Sequence, residues 1–331
     1  MLKLGLALSV SWVLLSGQLL SAATLEELAK AEGKVTFYSS LNNEYIQPLV
    51  DAFAKKYPDI KPSFYRANSD RVVQKILTES QAGHHAVDVF SAADSKIHLL
   101  KEKGLTLRFV SNENLAYSDG FKDPEGHWTS VLLVLSSMGY NTDSVSPLQA
   151  PKTYDDLLDP KWKGKIGINP REGEWYLSLQ YRMGKEKAKD FLKRLSGQNL
   201  NFREGNTLLA QLLGAGEFDI IPYVNAHTLA RFKEKGTPVQ WVFDEPIITH
   251  LHTIALARNA LHPNAGKLFI NFVLSIEGQK ILGDHGIIPS RRDTDNKFFD
   301  LKKKNLFPSD PRWGNEYESA LMEMGTILGV R

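Results

Sequence analysis

Cysteine is missing from all 331 residues. No disulfide framework, thiolate metal site or cysteine nucleophile can be built from this chain. No cysteine stands near its start to carry a lipid after removal of a leader. An excess of charge of one sign is missing as well, because 40 Lys and Arg against 38 Asp and Glu leave a formal charge of +2. With no basic stripe to offset that balance, the electrostatic footprint of a nucleic-acid binder is excluded. The sequence has no nucleophile elbow, no H-E-x-x-H helix, no Walker loop and no G-x-G-x-x-G after a strand, which removes the commonest hydrolase, zinc-protease and nucleotide signatures. It also has no internal repeat and no low-complexity tract.

What is present begins with an apolar N-terminus. Lys3 precedes the run Leu4 to Leu15, and Ser21-Ala22-Ala23 places small residues at a cleavage site. Residues 1–23 therefore read as a secretory signal peptide cut after Ala23, with a bacterial periplasm as destination. The competing reading is an uncleaved anchor. The run is short for a bilayer, and Ser9, Ser11, Ser16 and Gln18 dilute it. No later stretch is long and apolar enough to span a membrane. A hydrophobic content of 42% with 24% charged residues is ordinary for a soluble globular protein, and the length suggests two domains.

Strand and helix patterns alternate along the rest. Lys34 to Ser40 reads as a strand. Ile46, Leu49, Val50 and Phe53 then fall on one helix face, with Pro48 expected in the first turn. Ile60–Phe64 and Ala86–Phe90 predict two more strands, and Val72, Val73, Ile76 and Leu77 the helix between them. A strand over Val131–Met138, another at Lys165–Ile168, and stripes at Ala188–Leu195 and Leu208–Leu213 follow. Phe218–Pro222 predicts a buried strand that breaks into Tyr223, Asn225 and His227, and His252–Ala257 predicts a late one. Such alternation predicts α/β layers around mostly parallel sheets. Loop-like composition at Asp119–His127 and Asp244–Pro246 precedes β-rich segments that could cross between two lobes.

Five stretches taken together carry a family likeness: KVTFYSSLNNEYIQPLVDAFAKKYPDIK, AVDVFSAAD, LLDPKWKGKIGI, GAGEFDIIPY and IALARNALHPNAGKLFINFVLSIEGQKIL. The chain resembles periplasmic solute-binding proteins of ABC importers, in the group that includes ferric-iron-binding proteins. The resemblance spans about Lys34 to Ser290. It implies a type II periplasmic-binding-protein fold, with two α/β lobes joined by crossing strands and a ligand cleft between them. The expected division is 24–130 plus 249–295 for the first lobe, 131–248 for the second, and a C-terminal helical segment, 296–331, packing on both. It further implies a monomer that hands a small polar solute, anionic or zwitterionic, to an inner-membrane permease with its ATPase. A ligand-presenting sensor subunit and a periplasmic hydrolase are the other classes; the absent motifs argue against an enzyme.

The likeness departs from the iron proteins at the metal. Where they place a His, a Glu and a Tyr pair, this chain has Asn42, Ala93 and Ala226-His227. Neutral Asn and Ala cannot replace an imidazole and a carboxylate around a hard trivalent ion. No cofactor or resident metal is expected. Ferric iron as ligand, held by Tyr223, His227 and an exogenous anion, is the runner-up.

Strand ends face the crevice in open α/β sheets. The expected contacts are accordingly Ser39, Ser40, Asn42, Arg66 and Asp94 from one lobe, and Arg171, Glu172, Trp175, Thr207, Tyr223, Asn225 and His227 from the other. Some have duller alternatives. Asp94 and Asn225 suit helix caps, Trp175 suits the core, and Glu172 and Glu174 suit a helix N-terminus. His250 and His252 share a strand face, but two imidazoles without a third ligand make no metal site.

Overall fold

The computed structural model describes residues 23–301 and 303–330; residues 1–22 of the expected signal peptide lie outside them. Helix α1 (Leu25–Glu32) opens on a reciprocal cap, in which the Thr24 hydroxyl accepts the Glu27 N–H and the Glu27 carboxylate accepts the Thr24 N–H. Strands β1 (Lys34–Ser39), β2 (Lys61–Arg66) and β3 (Val89–Ala93) then pair in parallel, with β1 in the middle. They are connected through helices α2 (Asn43–Lys56) and α3 (Ser69–Gln81). Phe37 packs with Ile46, Leu49 and Phe53 of α2. Tyr38, the next residue, lies with Val72, Val73 and Ile76 of α3 on the opposite face. Successive strand residues point to opposite faces, so a sheet covered on both sides needs apolar residues in both phases.

Helix α4 (Asp94–Glu102) and the short β4 (Thr106–Leu107) lead into the longest strand, β5 (Thr129–Asn141). Next come β6 (Gly167–Ile168), α5 (Gly173–Met183), α6 (Lys185–Ser196), β7 (Asn201–Phe202), α7 (Asn206–Gly214), β8 (Ile220–Asn225), α8 (Ala226–Glu234) and β9 (Val239–Val242). The chain returns along β10 (Ile247–Ala257) and ends with α9 (Pro263–Leu274), α10 (Ile276–Asp284), β11 (Ile288–Pro289), β12 (Leu306–Pro308) and α11 (Tyr317–Leu328).

Two strands belong to both halves of the molecule. Residues Thr129–Leu135 of β5 pair antiparallel with β10, whereas Ser136–Asn141 pair with β8 and β9. The change of partner falls between Leu135 and Ser136. Strand β10 pairs with β12 through Ile247–Thr249 and with β3 through His252–Leu256. The second half has its own cores. Trp175, Leu179, Phe191, Leu192 and Met324 fill one, and Leu209, Leu213, Ile221, Val224 and Leu229 fill the other. The result is the two-lobed α/β fold that the resemblance implied.

The structure corrects three local expectations. Pro48 sits inside α2, whose first residue is Asn43, because the helix starts as soon as the strand-end loop closes at Asn42. Its missing N–H leaves the carbonyl of exposed Glu44 without an intrahelical donor. The third strand runs from Val89 to Ala93 instead of Ala86 to Phe90. Asp88, fully buried, anchors the approach to it by accepting the Thr36 N–H at 2.8 Å and the His262 N–H at 2.9 Å. The C-terminal segment also contributes a strand, β12, and not helix alone.

Gly167 tests the packing beneath the second lobe's strand ends. A Cβ there would lie 2.4 Å from two ring carbons of Phe218, which is itself buried. Gly167→Ala is expected to lower unfolding stability by about 1–3 kcal/mol, read as a reduced denaturant midpoint. An unchanged midpoint would show that the ring has room to move.

Candidate functional site

At the first lobe's strand ends, short polar side chains tie the loops to one another. The buried Ser39 hydroxyl accepts the Leu41 N–H at 3.1 Å. The Ser69 hydroxyl donates to Ser40 Oγ at 2.9 Å and accepts the Ala93 N–H at 3.4 Å. Asn42 precedes α2 without capping it through its side chain; instead its Oδ1 accepts from Arg66 Nη2 at 2.7 Å, while Arg66 Nε donates to the Leu41 carbonyl at 3.2 Å. These residues stiffen the rim. Asp94, the first residue of α4, points differently: one carboxylate oxygen accepts the Ser95 N–H at 2.8 Å and the other accepts the Ser309 hydroxyl.

The second lobe answers with a chain of amides and a carboxylate. Glu172 Oε1 accepts from Asn169 Nδ2 at 2.7 Å and from Asn206 Nδ2 at 2.8 Å. Asn206 Oδ1 in turn accepts the Asn225 N–H at 3.2 Å, and Asn225 Oδ1 accepts the Tyr223 hydroxyl at 3.3 Å. Burial raises the Glu172 carboxyl above its usual range despite the two amide bonds. Burial also pushes the Tyr223 phenol well above its ordinary value, and the nearby Glu172 and Glu174 charges push it the same way. His227 is held neutral, its ring pushed down to about 4 by burial and by the Arg231 charge one turn on.

Beside Asp94, which alone of the expected contacts lines it, lies a cavity of about 460 Å³ walled by α4, α5, β10 and the C-terminal segment. Asp94 and Lys96 of α4, Glu174 of α5, His250 of β10, and Ser309 and Tyr317 of the C-terminal segment are among its lining. Two acids of its lining are paired with basic side chains, Asp70 with Lys96 at 2.6 Å and Asp310 with Arg312, and Glu102 meets His98 at 3.4 Å. Among the described residues Asp94, Glu172 and Glu174 have no lysine or arginine partner; Glu174 has only His250 Nδ1, at 3.8 Å. His250 Nε2 is buried with no hydrogen-bond partner. Burial pushes the Asp94 carboxyl up to about 6, the bond from Ser309 and the proximity of His250 work against that rise, and Glu174 adds to it. Buried Asp94 and half-exposed Glu174 thus give this pocket two carboxylates that no lysine or arginine pairs.

Not all expected contacts converge there. Asp94 lines the cavity, and Glu172 stands behind Glu174 in the same electrostatic cluster. Trp175 is fully buried against Tyr154, Phe191 and Tyr223, so the stacking role is corrected: the indole belongs to the second lobe's core. Asn225 precedes α8 but makes no side-chain cap, because its oxygen is committed to Tyr223. Arg171 points outward and pairs with Glu204 at 3.3 Å; Thr207 is exposed. Tyr45 and Glu44 of α2 meet Arg231 of α8 at 3.2 and 3.7 Å, which draws the far side of the two lobes together over His227. His252 leaves the cavity to His250 by bonding Ser91 Oγ at 2.7 Å, and burial pushes its ring down to about 3. Among the described residues no group of three or more His, Asp or Glu side chains is placed to hold a metal ion.

His250, Ser309 and Tyr317 were outside the expected set. The two-residue spacing of His250 and His252 flagged a face but not its neighbours. Nothing in the sequence places 309–317 beside Asp94.

The model of the family described as bacterial extracellular solute-binding protein matches residues 85–311. The chain belongs to this family. An uncharacterised protein of Haemophilus influenzae is 28% identical over 296 residues, covering 85% of this chain and 83% of that one. A Trichodesmium protein, IdiA or FutA, solved with iron and citrate, superposes with a TM-score of 0.77 at 23% identity, over 89% of this chain and 99% of that chain. AfuA from Actinobacillus pleuropneumoniae, solved with exogenous fructose-6-phosphate, gives 0.70 at 24% identity, over 90% and 99%. Both share the fold.

The raised Asp94 carboxyl makes a signed prediction. Its folded value lies above its unfolded one, so the native state binds the extra proton between about pH 4 and 6. Stability from this group is therefore gained as pH falls through 6, and the charged form costs stability at higher pH. Asp94→Asn, whose Oδ1 still accepts the Ser95 N–H while its Nδ2 donates to Ser309 Oγ with the direction reversed, is expected to raise stability at pH 8 by on the order of 1–2 kcal/mol and to match wild type near pH 4. Denaturant titrations at the two pH values read this, and a variant less stable at pH 8 would refute it.

Proposed function

We propose that this extracellular solute-binding protein captures a small polar solute carrying a positively charged group, cationic or zwitterionic, in the cavity between its lobes. The lobes are taken as 24–135 with 249–295, and 136–248, with 296–331 joining both. That moves the first crossing from residue 131 to the point where β5 changes partners. The observation that supports the charge assignment is the pair of lining carboxylates without a lysine or arginine, buried Asp94 and half-exposed Glu174, beside the unpartnered His250 Nε2. Burying charge without a partner is costly, and a ligand ammonium, guanidinium or ring cation would offset that cost. A purely anionic solute would add to the repulsion.

Capture works by differential affinity. A ligand that touches Asp94 on one lobe and Glu174 on the other makes both contacts only when the lobes approach, so it favours the closed form. The closed surface is then what a membrane permease with its ATPase distinguishes from the open one, at the periplasmic face of the inner membrane. Neighbours solved with iron and citrate or with fructose-6-phosphate show that the fold holds chemically different cargo. In this chain Tyr223, its phenol held well above its ordinary value, has no tyrosine next to it in the sequence, and among the described residues no group of three or more His, Asp or Glu side chains is placed to hold a metal ion; neither favours ferric iron.

Thermal-shift and calorimetric titration with agmatine, choline and arginine, against citrate, fructose-6-phosphate and ferric citrate, separates the readings. A cationic or zwitterionic solute at a hundredfold excess over its Kd should add about 2.7 kcal/mol of apparent stability. Glu174→Gln should weaken that binding at least tenfold, with the melting temperature of the free protein little changed. Stabilisation by the anions alone, or by ferric citrate with a new visible absorbance, would refute the proposal.

A further inference from the structure

The cavity has a third wall, supplied by neither set of strand ends. Strand β12 extends β10 at Ile247–Thr249, the Ser309 N–H continues the ladder to the Thr249 carbonyl at 2.8 Å, and Pro311–Asn315 form one 3₁₀ turn before α11. The segment is attached on both sides. On the second-lobe side, the Trp313 ring stacks on Tyr181 of α5 with centroids 4.5 Å apart. Glu316 pairs with Lys185 of α6 at 3.1 Å, and Glu323 is held by Gln180 at 3.0 Å and by Lys189 at 2.9 Å. On the first-lobe side, the ladder bond to Thr249 is joined by two contacts with α4. The Ser309 hydroxyl donates to the Asp94 carboxylate, and Gly314 approaches Ser95 so closely that a Cβ on the glycine would come within 2.8 Å of the serine Cβ.

We propose that Ser309–Tyr317 is a strap that closes the side of the cavity by docking on α4, and that Ser309 is a positioning residue which orients the Asp94 carboxylate in the solute site when the strap docks. The strap rests on reading this cavity as the solute site. Docking does two things at once: it closes the side of the cavity, and it fixes the carboxylate oxygen that the Ser95 N–H does not hold. The glycine at 314 permits the approach, because any side chain there would prop the strap away from α4.

The absence of cysteine makes the strap directly measurable, since Ser95→Cys introduces the protein's sole thiol, placed under Gly314. Its reaction with a disulfide reagent should be at least tenfold slower than that of an unstructured cysteine peptide. Adding Ser309→Ala should speed it at least tenfold, Gly314→Val should do the same, and Ser309→Thr should restore the slow rate. Low urea should leave all these rates unchanged, because local opening exposes little surface. Labelling at the peptide rate, indifference to Ser309→Ala, or rates that climb with urea as global unfolding does would overturn the strap. Positioning has its own readout, the titration of the Asp94 carboxyl followed by carbon NMR. Ser309→Ala should move its midpoint upward, because a bond favouring the charged form is lost while His250 and Glu174 still face the group. An unmoved midpoint would overturn the positioning role. Neither readout uses a ligand, so a failed solute screen and a failed strap give different patterns.

Discussion

Two antiparallel strands shared between the lobes carry the consequences of this fold. β5 and β10 lie side by side from Thr249 to Ile254 on one and Thr129 to Leu135 on the other, and each then continues into a different set of neighbours. Buried backbone groups tolerate no loss of partners, so the shared ladder ties the sheets on either side to one another. The register shifts at His252/Thr253 and at Ser137/Gly139 sit on either side of the crossing. Such irregularities loosen and twist a strand locally. The crossing therefore both joins the lobes and sets the floor of the cavity, with His250 projecting from it.

That floor is chemically expensive. A carboxylate raised to about 6 by burial, a second raised behind it, and an imidazole nitrogen with neither solvent nor partner are features that core packing does not require. The same sheet handles comparable groups at lower cost elsewhere. Asp88 is fully buried, but two backbone N–H groups and His262 satisfy it. The contrast between Asp88 and Asp94 distinguishes a carboxylate serving the fold from one kept available for something else. Destabilised groups of this kind concentrate where a protein exchanges stability for binding.

The site is also less symmetrical than a two-lobe picture suggests. One side is drawn shut by Arg231 against Tyr45 and Glu44, and the other is bounded by a C-terminal segment that contacts both lobes. Solved neighbours of the same fold hold iron with citrate or a sugar phosphate. The side chains at the strand ends, and not the layers beneath them, decide what such a fold accepts.

Much of the architecture was legible in the sequence because periodicity reports burial. The stripe of Ile46, Leu49 and Phe53 and the two-phase apolar pattern of β1 could satisfy their hydrophobic faces in few ways, and five spaced stretches fixed the family. The strand-end candidates were legible only in part. Asp94 lines the cavity and Glu172 stands behind its lining, while Trp175 turns inward, because an aromatic at a helix start has the same sequence signature whether it stacks on a ligand or fills a core. Charge balance over the whole chain is near neutral, and nothing local announced that carboxylates with no lysine or arginine partner of their own would gather at the cavity. That clustering, the solitary His250 nitrogen and the seat of Ser309 beside Asp94 join residues more than 70 positions apart in sequence. Periodicity acts within a turn or two of chain, so the sequence alone determined the layers and their order; pairing between distant loops depends on how those layers close, and only the tertiary structure decided it.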